Sequence, residues 1–354
     1  YQRMAITASL RGTSLILKKI MGSLLHVVED CLGIVQVYSD GSICRLTDDQ
    51  IDFHNFPIKD DGSVVWKDIH YYDGDGEGKE KLHLRLYKPN KCTANKQLPI
   101  IYFFHGGGFC VGSRTWPNCH NCCLRLSSEL QALVIAPDYR LAPEYRLPAA
   151  IDDAFTSMKW LQRQALMSKN NIITTSADSW ISDYDRVYVI GDSSGGNMAH
   201  HLALRLGVGS PQLAPVRVRG YVLMAPFFGG TLRTKSEAEG PAEPFLNMEI
   251  LDRFWRLSLP IGATADHPFA NPFGPLSPKL EPMKLDPLLV IVGGNELLKD
   301  RVEDYACKLK ELNKDVHYLE FEGMQHGFFT NDPFSQVANL ILQEIKYFMC
   351  RTSS

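Results

Sequence analysis

The chain lacks a marked charge imbalance, a long apolar run and any Asn-x-Ser/Thr sequon. Lys and Arg number 37 against 40 Asp and Glu, a net charge of −3. No basic cluster stands out, so neither nucleic acid nor an anionic membrane is an expected partner. No apolar stretch approaches the roughly eighteen residues that a membrane-spanning helix needs. Cysteine is present but not in pairs: Cys31, Cys44, Cys92, Cys110, Cys119, Cys122, Cys123, Cys307 and Cys350 are nine, scattered through 354 residues. An odd, scattered set argues against a disulfide framework. With the missing sequons it points to a reducing, cytoplasmic setting. A chain that is 45% hydrophobic and 22% charged reads as an ordinary globular protein.

Two local motifs suggest metal chemistry and are read otherwise. Cys119-His120-Asn121-Cys122-Cys123 has no second ligand pair at zinc spacing. It opens an apolar periodic stretch (Leu124, Leu126, Leu130), which predicts buried helix cysteines. Asp73-Gly74-Asp75-Gly76-Glu77-Gly78 begins like a calcium loop, but the twelfth position is Leu84, which carries no carboxylate. A solvated turn is expected there.

Residues 1–20 hold four basic and no acidic residues, a composition that resembles a targeting segment. Met21-Gly22-Ser23 reads like a natural start, so residues 1–20 are expected to be non-native or targeting-like. Residues 21–350 are expected to form a single domain. From about 27 to 65 the pattern is apolar but irregular; residues 21–65 are expected to cap the domain. Strands near 66–71 and 82–88 follow as a hairpin. Buried-type strands are then expected at Leu98–Phe104, Ala132–Ala136, Val187–Ile190, Val218–Met224 and Leu288–Val292, with a last one near Val316–Phe321. Helical patterns fall at about 118–130, 149–165, 195–206, 300–312 and 333–349. Continuous apolar strands alternating with helices predict an α/β fold, a mostly parallel sheet covered on both faces. Residues 227–285 interrupt the alternation with Pro, Gly and aromatics around one helical pattern near 247–258, and are read as an inserted cap.

Chemistry concentrates at the ends of these strands. Gly191-Asp192-Ser193-Ser194-Gly195-Gly196-Asn197 follows the strand Val187–Ile190 and precedes a helical run. Strand, Gly-x-Ser-x-Gly, helix is a nucleophile elbow, in which a tight turn leaves the Ser193 hydroxyl exposed at the strand end. A serine needs a base, and the base needs an orienting group. The loop after Leu288–Val292 supplies Glu296 and Asp300; the loop after the last strand supplies His326. The order serine, acid, histidine matches. Glu296 is favoured as the acid, with Asp300 kept as the alternative because it also suits a helix first turn. His105-Gly106-Gly107-Gly108-Phe109 follows the strand ending at Phe104. Its glycines leave N–H groups unshielded, so the amides of Gly107, Gly108 and Ser194 form a candidate oxyanion hole. His105 is read as bracing that loop.

His-Gly-Gly-Gly-Phe, Gly-Asp-Ser-Ser-Gly-Gly-Asn and, between them, Asp138-Tyr139-Arg140-Leu141-Ala142-Pro143-Glu144 together resemble the hormone-sensitive-lipase-like plant carboxylesterases, from about residue 27 to the C-terminus. Val28–Gly33, Pro215–Met224 and Asp252–Pro260 look closest to the clade that degrades strigolactones. The resemblance implies an α/β-hydrolase fold, no cofactor and a pocket roofed by the N-terminal and inserted segments. It also implies Ser193 as nucleophile, His326 as base, and Gly107, Gly108 and Ser194 as oxyanion donors. Most of the family has Asp where this chain has Glu296, which keeps Asp300 open. The expected activity is hydrolysis of a small apolar ester or lactone through an acyl-enzyme. The oligomeric state is left open. Two alternatives share the fold: a slow hormone receptor of the gibberellin-receptor type, and a dehydratase or cyclase. The receptors lack the histidine that His326 supplies here. The dehydratases and cyclases change the nucleophile or the oxyanion glycines, whereas Ser193 and Gly107 are retained.

Overall fold

The computed structural model describes residues 25–73, 81–90, 97–169, 180, 183–241, 243 and 246–353. Residues 1–20, the start at Met21 and most of the acidic Gly-rich turn at 74–78 lie outside the described residues. The chain divides into two compact units, Tyr1–Pro57 and Ile58–Ser354.

In the first unit the stretch expected to be irregular forms a small antiparallel sheet of β1 (Val27–Cys31), β2 (Val35–Tyr38) and β3 (Ile43–Arg45), in the order β1-β2-β3. The strands have 5, 4 and 3 residues, too short for an alternating pattern to show in sequence. A tight turn sets their register. Leu32 and Gly33 both have positive φ, +58° and +71°, and are the central residues of a turn closed by the Ile34 N–H donating to the Cys31 carbonyl at 2.9 Å. The Asp30 carboxylate accepts from the Gly33 N–H at 2.7 Å and holds the turn.

The second unit contains an eight-stranded sheet. Its strands are β4 (Val64–Tyr72), β5 (Leu82–Pro89), β6 (Ile100–Phe104), β7 (Leu133–Pro137), β8 (Val187–Asp192), β9 (Val218–Met224), β10 (Leu288–Gly293) and β11 (Val316–Phe321). The order is β11-β10-β9-β8-β6-β7-β5-β4. The six strands from β6 onward are parallel, and the β4/β5 hairpin adds antiparallel through the β5–β7 pairing. The alternation of apolar strands and amphipathic helices thus appears as an α/β fold with a mostly parallel sheet.

Side chains alternate across the sheet, and both faces are covered. Helices α1 (Pro117–Leu130) and α8 (Gln336–Thr352) bury one face. There Ile101, Phe103, Tyr188, Ile190, Leu289 and Ile291 pack with Cys122, Leu126, Ile341 and Ile345. The Tyr188 hydroxyl donates to the Met349 carbonyl in α8 at 2.9 Å. On the opposite face lie α2 (Ala149–Lys169), α3 (Ser194–Leu206) and α6 (Lys299–Glu311). Tyr102 points that way and donates to the Ser157 carbonyl of α2 at 2.9 Å. Cys119, Cys122 and Cys123 are buried on α1, as expected of small apolar residues.

Among its described residues the stretch 227–285 holds two helices, α4 (Lys235–Glu239) and α5 (Met248–Ser258). A further short helix, α7 (Phe328–Asn331), follows β11. The 5-residue α4 and 4-residue α7 are below the length at which helical periodicity is legible. Arg301 of α6 fastens the beginning of the inserted stretch. Its guanidinium makes a two-pronged pair with Glu237 and donates to the carbonyls of Gly229, Gly230 and Leu232. Both side chains are nearly out of solvent. Removing one partner of such a pair strands the other charge, so Arg301→Ala is expected to lower stability by about 3–5 kcal/mol. Urea unfolding of the variant measures the loss.

Candidate active site

Apart from Asp300, which lies in the first turn of α6, the residues singled out for chemistry lie at the carboxyl ends of parallel strands, the edge where open α/β sheets bind ligands. His105 follows β6, Ser193 follows β8, Glu296 follows β10 and His326 follows β11.

Ser193 has φ +54° and ψ −115°, a conformation in which a non-glycine residue is strained. The fold holds it there from both sides. Its N–H donates to the Met224 carbonyl at 2.9 Å, and its carbonyl accepts from Phe227 at 2.9 Å and Asn197 at 3.1 Å. The elbow is tight enough that a Cβ on Gly195 would stand 2.0 Å from the Phe104 carbonyl oxygen. Only glycine fits where α3 meets the end of β6. The N–H of Ser194, at the first turn of α3, has no acceptor within the helix and is available to an anion.

The glycine loop after β6, the candidate oxyanion loop, lies against this elbow. A Cβ built on Gly106 would be 3.1 Å from the Ser193 Cβ. Cys110 and Val111 both donate to the Gly107 carbonyl at 3.0 Å, which closes the Gly-rich turn. His105 stacks on Tyr139 with ring centroids 4.3 Å apart, and its Nδ1 lies 2.7 Å from the Gly106 carbonyl. The Tyr139 hydroxyl donates to the His105 carbonyl at 2.9 Å. His105 therefore sits in a bracing position beneath the loop.

Glu296 and His326 meet. The buried Glu296 carboxylate uses one oxygen to accept from the Gly293 N–H at 2.9 Å. The other lies 2.5 Å from His326 Nδ1. With Nδ1–H committed to Glu296, Nε2 is left as the basic nitrogen. Asp300 is turned away: it accepts from the Ser236 N–H at 2.7 Å, while its own N–H reaches the Ser236 hydroxyl. Its carboxylate anchors the start of α4.

Two further carboxyl groups face the imidazole, and sequence reasoning singled out neither as a site residue. Asp192 carries no distinguishing mark beyond its place in the elbow motif, yet its buried carboxylate accepts from the Thr330 hydroxyl at 2.9 Å. That bond ties the elbow to α7, immediately after His326. Glu243 lies in the inserted stretch with no motif around it. It is buried, its Oε1 has no hydrogen-bond partner among the described residues, and burial raises its pKa to about 7. Both are long-range encounters that local patterning does not encode.

These charges set the basicity of His326. Burial depresses its pKa, but Glu296, then Asp192 and Glu243, more than offset this and raise it from 6.5 to about 9. An imidazolium cannot take a proton, so kcat/KM is expected to climb with pH through that range. The linked stability has the opposite sense: it is complete below the unfolded value and lost as pH rises through the folded one. Glu243→Gln removes one negative neighbour and is expected to move the acid limb of the profile to lower pH. A pH–rate profile of both proteins checks it.

Among the described residues, no group of three or more His, Cys, Asp and Glu is arranged to hold a metal ion. No helix among them is long and apolar enough to cross a membrane.

A family model described as the alpha/beta hydrolase fold matches residues 101–330, which include the glycine loop, the elbow, Glu296 and His326. The chain belongs to the α/β-hydrolase family. It is 36% identical over 281 residues to a 3-O-acetylpapaveroxine carboxylesterase of Papaver somniferum, covering 76% of this chain and 86% of the relative. It is also 30% identical over 330 residues to the 2-hydroxyisoflavanone dehydratase of Glycine max, covering 92% and 99%. Among solved structures, the thermostable carboxylesterase EstE1, cloned from a metagenomic library, superposes with a TM-score of 0.65 at 29% identity, over 84% of this chain and 90% of that one. The weight of similarity is with esterases, and this α/β-hydrolase is a carboxylic ester hydrolase. The dehydratase shows that one fold carries more than one reaction, so the residue roles rest on the site itself.

Proposed function

We propose that this ester hydrolase works through Ser193, His326 and Glu296. Ser193 Oγ attacks the substrate carbonyl while His326 Nε2 takes its proton, and Glu296 orients the ring and stabilises the imidazolium. The oxyanion is received by the amides of Gly107, Gly108 and Ser194. His326 returns the proton to the departing alcohol. Water then enters, gives its proton to the same nitrogen and releases the acid from the acyl-enzyme. The observation that carries the proposal is the 2.5 Å contact of Glu296 with His326, on the sheet edge where Ser193 is held strained against the glycine loop.

The substrate is a small, largely apolar ester or lactone. Supporting this, Phe227, Phe254 and Trp255 bring aromatic surface to the glycine-loop side of the site, with Trp255 stacked on Phe227 at 4.0 Å. The resemblance to the strigolactone-degrading clade suggests a strigolactone, cleaved at the bond to its butenolide ring. Residues 227–285 are proposed as the cap over the pocket. Mass spectrometry of the products from a strigolactone and from p-nitrophenyl acetate tests the assignment. Cleavage of both supports it. Turnover of the simple ester alone removes the hormone. Binding of the strigolactone with neither cleaved favours a receptor, and a product lighter by one water favours a lyase.

A further inference from the structure

The candidate oxyanion loop is covered from above by a side chain of the inserted stretch. Gly108 has φ +59°, and a Cβ built on it would fall 2.3 Å from both Cγ and Cδ2 of Phe254 and 2.8 Å from Cδ1. Three ring atoms at nearly equal distance mean that the aromatic face lies flat over the Gly108 Cα, where any other residue would carry its side chain. Phe254 is buried.

Helix α5, which carries the ring, is fixed along its length. Asn247 caps it, its side chain accepting from the Ile250 N–H at 3.0 Å. At the far end Arg146 donates to the carbonyls of Arg256 and Leu259, each at 2.7 Å, and the Leu147 N–H reaches the Ser258 carbonyl at 2.8 Å. Between these anchors Trp255 stacks on Phe227 at an interplanar angle of 9°. The ring is therefore held fixed against Gly108, beyond the part of the loop that the Cys110 and Val111 amides close onto the Gly107 carbonyl. Three successive glycines have no side chains of their own to hold them, and backbone freedom is greatest at such residues.

We propose that Phe254 is a positioning residue of the oxyanion hole: its ring holds the Gly108 peptide so that the N–H is aimed before the oxyanion forms. Preorganised donors stabilise a developing charge because no reorganisation is needed at the moment of reaction. The inserted stretch then has a part in the chemistry as well as in enclosing substrate. The inference rests on the hydrolase reading of the previous subsection.

The test compares Phe254→Ala, Phe254→Leu and Leu251→Ala with the wild type, using p-nitrophenyl acetate and a trifluoromethyl ketone that captures serine as a tetrahedral adduct. Phe254→Ala is expected to lose about 10- to 100-fold in kcat with KM within about threefold. Affinity for the ketone falls in parallel, because the adduct presents the same oxyanion. Phe254→Leu, which refills part of the space, recovers an intermediate value. Leu251→Ala removes a buried side chain from the same helix. It is expected to lower Tm while leaving kcat and ketone affinity within about threefold, a general destabilisation without loss of aim. The proposal is overturned if Phe254→Ala raises KM alone, or if Leu251→Ala reproduces its losses. A wild type that neither hydrolyses the ester nor binds the ketone overturns the hydrolase reading, and is recognised before any variant is made.

Discussion

Replacing Glu296 by Gln is expected to lower kcat by about 10⁴-fold, whereas Asp300→Asn stays within about threefold. Both carboxylates follow β10, and only their partners separate them. Glu296 receives the Nδ1–H of His326, and an amide in its place presents either a neutral acceptor or a donor that favours the wrong tautomer. Asp300 receives the Ser236 N–H, so its loss weakens the hold on α4 and costs about 0.5–1.5 kcal/mol of stability with the imidazole untouched. Steady-state kinetics with one activated ester, together with urea unfolding, reads both effects. Equal activity loss in the two variants would mean that the acid has been wrongly chosen.

The second large effect concerns the glycine loop. Gly107→Ala is expected to reduce kcat by at least about 10²- to 10³-fold, the cost of removing a single oxyanion donor. Gly107 has φ +120°, and a methyl group there would lie 2.0 Å from the Val111 carbonyl oxygen. The loop cannot keep its path, and the Gly107 and Gly108 amides move together. Strain of this kind amounts to about 1–3 kcal/mol, small enough for the rest of the sheet to fold. A cooperative unfolding transition with a lower midpoint, alongside lost turnover and retained substrate binding, is the expected pattern. Retained turnover would place the oxyanion elsewhere.

How much of this was legible beforehand follows from the range of the interactions. The parallel strands were readable because each is buried on both faces and must be apolar throughout, as in Ile100–Phe104 and Leu288–Gly293. The elbow and the glycine loop were readable because tight turns demand glycine at fixed offsets around Ser193. Glu296 could not be separated from Asp300 in sequence, since the choice depends on what each carboxylate meets in space. Glu243 reaches the site from an irregular part of the inserted stretch that no periodicity describes; Phe254 lies on the helix legible near 247–258, but periodicity does not say which loop that helix packs against. The β1–β3 sheet was missed for a different reason: its strands are too short to show alternation, and the Leu32-Gly33 turn that organises them is a weak signal.

Trapping the acyl-enzyme tests the central claim most directly. Wild-type protein mixed with excess p-nitrophenyl acetate, quenched in acid within the first turnovers and analysed intact and after proteolysis, is predicted to gain the mass of one acetyl group. The group should map to the peptide containing Ser193 and be absent from Ser193→Ala. Acetylation at another residue, or turnover by Ser193→Ala at the wild-type rate, would contradict the account.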